Sequence, residues 1–148
     1  MRKTNLVAAV LAMLVGFCGV AGAADDPLVK ALRGVVEANL TAYNAKNVDG
    51  VLSSIDTHSP DYATTKDALA EQFQNIGATA KLTDFRYIGH DDEFAVVRMK
   101  IALAGPPTSD FVDNVVDGMM VFHQENGTWK LWSEDVLGVE FTKFTPNK

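Results

Sequence analysis

The hydrophobic positions change their period once along the chain, at Gly77. Before it they recur as in helices. Wound at about 100° per residue, residues 28–44 place Leu28, Val29, Leu32, Val35, Val36, Leu40 and Tyr43 on one stripe, with Lys30, Arg33, Glu37, Thr41 and Asn44 opposite. Asp26 is positioned to cap this first helix, and Pro27 suits its first turn. A second, short helix follows the cap candidate Asn47, with Val48, Val51, Leu52 and Ile55 at i, i+3, i+4 and i+7. Residues 56–62 read as a loop, because Pro60 disfavours helix at the residue before it. A third helix is predicted over residues 65–76, where Thr64 and Asp67 approximate a capping box, Leu69, Phe73 and Ile76 form the buried stripe, and Gly77 is a natural stop.

After Gly77 the period is two. Residues 78–88 form a first strand whose alternation slips between Leu82 and Phe85, the mark of a bulge. Residues 94–104 form a second, with Val97, Met99, Ile101 and Leu103 on one face and Arg98 and Lys100 on the other. Residues 105–109 break the chain. A third strand is predicted over 111–124, then a hairpin at Asn126-Gly127, then a fourth over 128–136 with a tail able to extend it to Phe144. Helices first and strands afterwards predict an α+β domain, with the helices on one face of an antiparallel sheet of about four strands.

The start of the chain belongs to a different logic. Arg2 and Lys3, the apolar run from Leu6 to Phe17 and the small residues Ala21-Gly22-Ala23 have the order of a secretory signal peptide. We therefore expect residues 1–23 to be removed and 24–148 to form one exported domain, periplasmic or secreted, without stable membrane insertion. Cys18 would leave with the signal, so no disulfide is expected. Loss of Arg2 and Lys3 leaves 11 basic against 19 acidic residues. That acidity, with no basic run, argues against nucleic-acid partners.

Several stretches carry a family resemblance. Residues 40–52, Leu-Thr-Ala-Tyr-Asn-Ala-Lys-Asn-Val-Asp-Gly-Val-Leu, resemble the end of helix one, the polar corner and the second helix of the nuclear transport factor 2-like (SnoaL-like) superfamily. Residues 126–132, Asn-Gly-Thr-Trp-Lys-Leu-Trp, resemble its late hairpin. Ser59-Pro60-Asp61-Tyr62 followed by Thr64 and Thr65 is similar to an exported bacterial branch without assigned activity. The resemblance implies a cone: a curved sheet wrapped around helix one, with a pocket at its open end, and often a homodimer through the outer sheet face, where Phe94 and Val96 would help. The superfamily hosts isomerases, dehydratases, cyclases, binders and dimerisation domains, so membership does not select a function.

The candidate pocket residues are Asn39, Tyr43, Met99 and Asp117. Asn39 and Tyr43 are polar groups at i and i+4 inside the apolar stripe of helix one, and a buried polar group needs a partner. Met99, with Met119 and Met120, suits an irregular apolar pocket or an ordinary core. The resemblance lends Asp117 the place of a steroid-isomerase carboxylic acid, with Tyr43 as second donor and Asp56, His58 or Asp61 near the place of a base. Two facings of the third strand are open: either Asp113, Asp117 and His123 line the cone, or Gly118, Met120 and Phe122 do. His58, His90 and His123 lack metal-ligand spacing, so no metal and no cofactor are expected. The expected function is a non-catalytic domain that binds a small apolar ligand or dimerises. The alternative is an acid–base isomerase, dehydratase or cyclase using Tyr43 with Asp117 or Asp56.

Overall fold

The computed structural model describes residues 26–142. The expected signal peptide, Cys18 and the tail at Phe144 lie outside them. Three helices, α1 (Pro27–Asn44), α2 (Val48–Ser53) and α3 (Tyr62–Asn75), precede four strands, β1 (Thr79–His90), β2 (Phe94–Ala104), β3 (Asn114–Glu125) and β4 (Thr128–Phe141). The strands form one antiparallel sheet in sequence order. Among the described residues no helix is long and apolar enough to cross a membrane.

The helix starts follow local hydrogen-bonding chemistry. Asp26 Oδ1 accepts the Leu28 N–H at 2.8 Å, and Asn47 Oδ1 accepts the Gly50 N–H at 2.9 Å, so each side chain satisfies an amide that the helix leaves without a partner. α3 begins earlier than its capping pattern predicts. Ser59 Oγ accepts the Asp61 N–H at 3.1 Å and turns the chain directly into the helix, whose first bond runs from Thr65 N–H to Asp61 O at 2.9 Å. β3 begins later than its apolar pattern predicts. Asp113 Oδ1 accepts the Gly105 N–H at 3.0 Å, which keeps the residues just before the strand in the loop.

The core lies between α1 and the sheet. Leu32 and Val36 of α1 are fully buried against Val97 and Met99 of β2 and Phe122 of β3, and Val51, Leu52 and Leu69 from the other helices close one end. Each such side chain contributes about 1.5–3 kcal/mol by leaving water. Asn44 ties the end of α1 to β1: its Nδ2 donates to Ala80 O at 2.8 Å and its Oδ1 accepts the Ala80 N–H at 2.7 Å, as a neighbouring strand would.

Register shifts bend the sheet around this helix. They fall between Leu82 and Asp84 and between Tyr87 and Gly89 where β1 meets β2, and at Asp117/Gly118 and Val121/Phe122 where β3 meets β4. Of the two facings open for β3, Gly118, Met120 and Phe122 are the buried set and pack toward the helices. Gly118 is required by closeness. A Cβ there would lie 2.9 Å from Asp135 O and 3.0 Å from Met99 Cε. Gly118→Ala is therefore expected to destabilise the domain by about 1–3 kcal/mol through overpacking, read as a lowered urea midpoint with an unchanged slope.

Candidate functional site

A cleft of about 500 Å³ lies between the helices and the start of β4. Loop 54–61 builds one wall because its backbone is stitched to β4. Asp56 N–H donates to Leu131 O at 2.7 Å, and Leu131 N–H donates to Ser54 O at 2.9 Å. These two bonds make Ile55 and Leu131 a parallel bridge. Ser59 Oγ adds a bond to Trp132 O at 2.6 Å. Val51, Ile55 and Leu131 form the apolar floor. Asn39, Asp61 and Glu134 bring polar groups to the lining, with Thr64 and Thr65 from the first turn of α3. Among the described residues that line it, none is basic.

Glu134 reaches the cleft because β4 carries an extra residue opposite Val121 and Phe122. Leu131 pairs with Phe122 and Glu134 with Met120, so both face the helix side although three positions separate them. Glu134 remains open to solvent, yet it stands in a concavity with protein on most sides. Desolvation there, followed by the charge of Asp61, raises its carboxyl above the ordinary glutamate value.

The sequence candidates separate. Asn39 lines the cleft, and its Nδ2 donates to Ser54 Oγ at 2.7 Å. Tyr43 lies outside the lining: its hydroxyl accepts from Gln72 Nε2 at 3.0 Å, and its ring meets Phe73 edge-on at 5.2 Å. Burial raises its phenol pKa, against the lowering effect of Gln72. Met99 is core, beneath Gly118. Asp117 is on the opposite face of the sheet, held by Arg98 through Nε at 2.8 Å and Nη2 at 2.7 Å. The Arg98 bonds outweigh desolvation and hold its carboxyl below the usual aspartate range. There it borders a shallow groove of about 220 Å³ with Lys100 and Glu140.

Asp56 is fully buried and fully engaged. Its Oδ1 accepts the His58 N–H at 2.7 Å, and its Oδ2 lies 2.6 Å from His123 Nδ1. Burial pushes the carboxyl up, but the bonds from His123 and His58 outweigh it and leave the pKa lowered. His123 itself is flanked by Phe94 and Trp132, with ring centroids 4.9 and 5.1 Å away.

Comparison with known proteins gives this geometry a family. Residues 34–142 match the family described as the anti-sigma-I factor RsgI9, C-terminal domain. The chain belongs to that family. A search of curated proteins gives no match. Among solved structures, a nuclear transport factor 2-like protein of unknown function from Shewanella oneidensis is similar at TM-score 0.64 and 9% identity, over 74% of this chain and 98% of that one. A ketosteroid isomerase-like protein from Erwinia carotovora atroseptica is similar at TM-score 0.58 and 12% identity, over 76% and 98%. A cystatin-like-fold protein of unknown function from Nostoc punctiforme is similar at TM-score 0.61 and 8% identity, over 72% and 87%. At these identities the likeness establishes the fold. This RsgI9-type domain has the nuclear transport factor 2-like fold, a cone of three helices on a four-stranded antiparallel sheet.

Sequence reasoning passed over Glu134 in this RsgI9-type domain. Strict alternation from Leu131 puts it on the outer face, and only the bulge reverses that. Its carboxyl generates a pH prediction. A raised folded pKa means stability is complete while Glu134 is protonated and falls as pH rises through that pKa. Glu134→Gln should therefore melt at a higher temperature than the parent at neutral pH. The gap should close as pH falls toward 4.5, the ordinary glutamate value. Circular dichroism melts across that range check it.

Proposed function

We propose that this chain is an exported, non-catalytic domain that binds one small amphipathic molecule in the cleft between the helices and β4. The observation that carries this reading is the composition of that cleft: an apolar floor, hydroxyl groups from α3, two carboxylates and no basic side chain. Its volume of about 500 Å³ suits a small molecule. Asp61 and Glu134 favour a ligand with a cationic or hydrogen-bond-donating head and disfavour anions. The family's named member is part of an anti-sigma factor, a regulatory protein, which favours recognition over turnover.

An acid–base enzyme is the second reading, and Glu134 favours it, since a carboxyl whose pKa is raised by desolvation and by a neighbouring carboxylate holds its proton more readily than an ordinary glutamate and can act as a general acid. Tyr43, Asp117 and Asp56 do not support it. None of the three is among the cleft's lining residues. The homodimer also belongs to this proposal. Val136, Leu137, Val139 and Phe141, exposed on edge strand β4, are the apolar residues that support it.

The test is native mass spectrometry of the protein purified from its own host compartment, followed by thermal shifts with amphipathic amines and matched carboxylates. We expect a retained small molecule or selective stabilisation by the amines, lost in Asp61→Asn/Glu134→Gln. Equal stabilisation by the carboxylates, or amine binding unchanged in the double variant, would refute the cleft as the site. Chemical conversion of a bound ligand would favour the enzyme.

A further inference from the structure

We infer that Asp56, His58 and Glu125 form a binding site for one divalent cation of the borderline class, such as Zn²⁺ or Co²⁺. The site stands apart from the cleft and does not depend on the ligand proposed there. One carboxylate oxygen of Asp56, Nδ1 of His58 and one carboxylate oxygen of Glu125 all lie within 4.8 Å of one another. His58 Nδ1 is 3.3 Å from Asp56 Oδ1 and 3.4 Å from Glu125 Oε1. Two ligands bound to zinc at about 2.0–2.1 Å in a tetrahedron stand about 3.3 Å apart, so the two approaches to the imidazole already have the required span. The donor set also suits this class. One imidazole with two carboxylates is neither the thiolate set that selects soft ions nor the all-oxygen cage that selects calcium.

The surrounding bonds resemble those that hold metal ligands in place. Asp56 is fully buried; His123 Nδ1 fixes Oδ2, and Oδ1, the oxygen that approaches the His58 ring, also accepts the His58 N–H at 2.7 Å. Glu125, whose side chain is 12% exposed, is oriented by the Thr57 hydroxyl and by the Thr57 N–H at 3.3 Å. Both bond to Oε1, the oxygen that approaches His58, so a cation there would share that oxygen with Thr57 or take Oε2. Ligating carboxylates are characteristically held by such outer partners. Lys130 Nζ lies 3.8 Å from Glu125 Oε2 but is itself bonded to Ser53 O at 2.6 Å. His58 is the open side of the group, with 77% of its side chain exposed, and leaves room for water or an external ligand on the cation. A dication would neutralise two carboxylates, one of them with no access to solvent.

The sequence pattern predicts no metal because Asp56 and His58 are only two positions apart and no histidine or cysteine completes a familiar spacing. The third donor is Glu125, at the end of β3, joined to this loop by bonds between residues 68 positions apart.

The experiment is a titration of the chelator-treated full chain with CoCl₂, followed by calorimetry and visible absorption, and then competition by ZnCl₂. We expect saturable binding of one Co²⁺ per chain with a ligand-field spectrum that Zn²⁺ abolishes. His58→Ala should weaken binding by more than the roughly 10–100-fold that loss of an outer partner costs. Its exposure lets the variant keep the fold, which circular dichroism verifies. His90→Ala removes a different exposed histidine and should bind as the parent does. No saturable binding, or equal affinity in His58→Ala, would overturn the inference. Cobalt bound in the absence of any cleft ligand supports this site whatever the fate of the small-molecule proposal.

Discussion

Two backbone hydrogen bonds organise the cleft end of this domain: Asp56 N–H to Leu131 O and Leu131 N–H to Ser54 O. They add a single parallel bridge to an otherwise antiparallel sheet. Everything distinctive here hangs from loop 54–61. On one side Ile55 and Ser59 line the cleft; on the other Asp56 and His58 meet Glu125 and His123. Asp56, with no solvent access, keeps its partner His123 on β3 only while the bridge to β4 holds the loop in place, and a buried carboxylate without a partner is costly. The side-chain cluster and the backbone bridge therefore hold each other in place.

The scaffold was largely legible because its signals are local. The stripe of α1, the caps Asp26 and Asn47, the slip after Leu82 and the Asn126-Gly127 turn each depend on neighbours a few positions away, and each has a direct counterpart in the structure. The start of α3 and the start of β3 were less legible. In one case a serine hydroxyl replaces the expected cap, and in the other an aspartate keeps apolar Phe111 and Val112 out of the ladder.

The candidate site was legible only in part, for a related reason. Asn39 is a polar residue in an apolar stripe, a signal the sequence displays. Asp117 presents the same signal, a charge in an apolar strand, but strand parity alone did not say which face it takes; Arg98 across the ladder answers it. Glu134 depends on a bulge between two strands, and Glu125 joins Thr57 and His58 only through the fold. Neither arrangement leaves a trace in spacing along the chain.

Ser59 and Trp132 are 73 positions apart, and the bond between them closes more than half of the described residues into a ring. Ordering so long a loop costs entropy before any contact repays it, so such contacts tend to form after the local ones. The β3–β4 hairpin, joined by a two-residue turn, and the helices can assemble beforehand. On this view the bond between Ser59 and Trp132, like the packing of Leu32 on Phe122, closes a long stretch of chain and follows the local hairpin and helices.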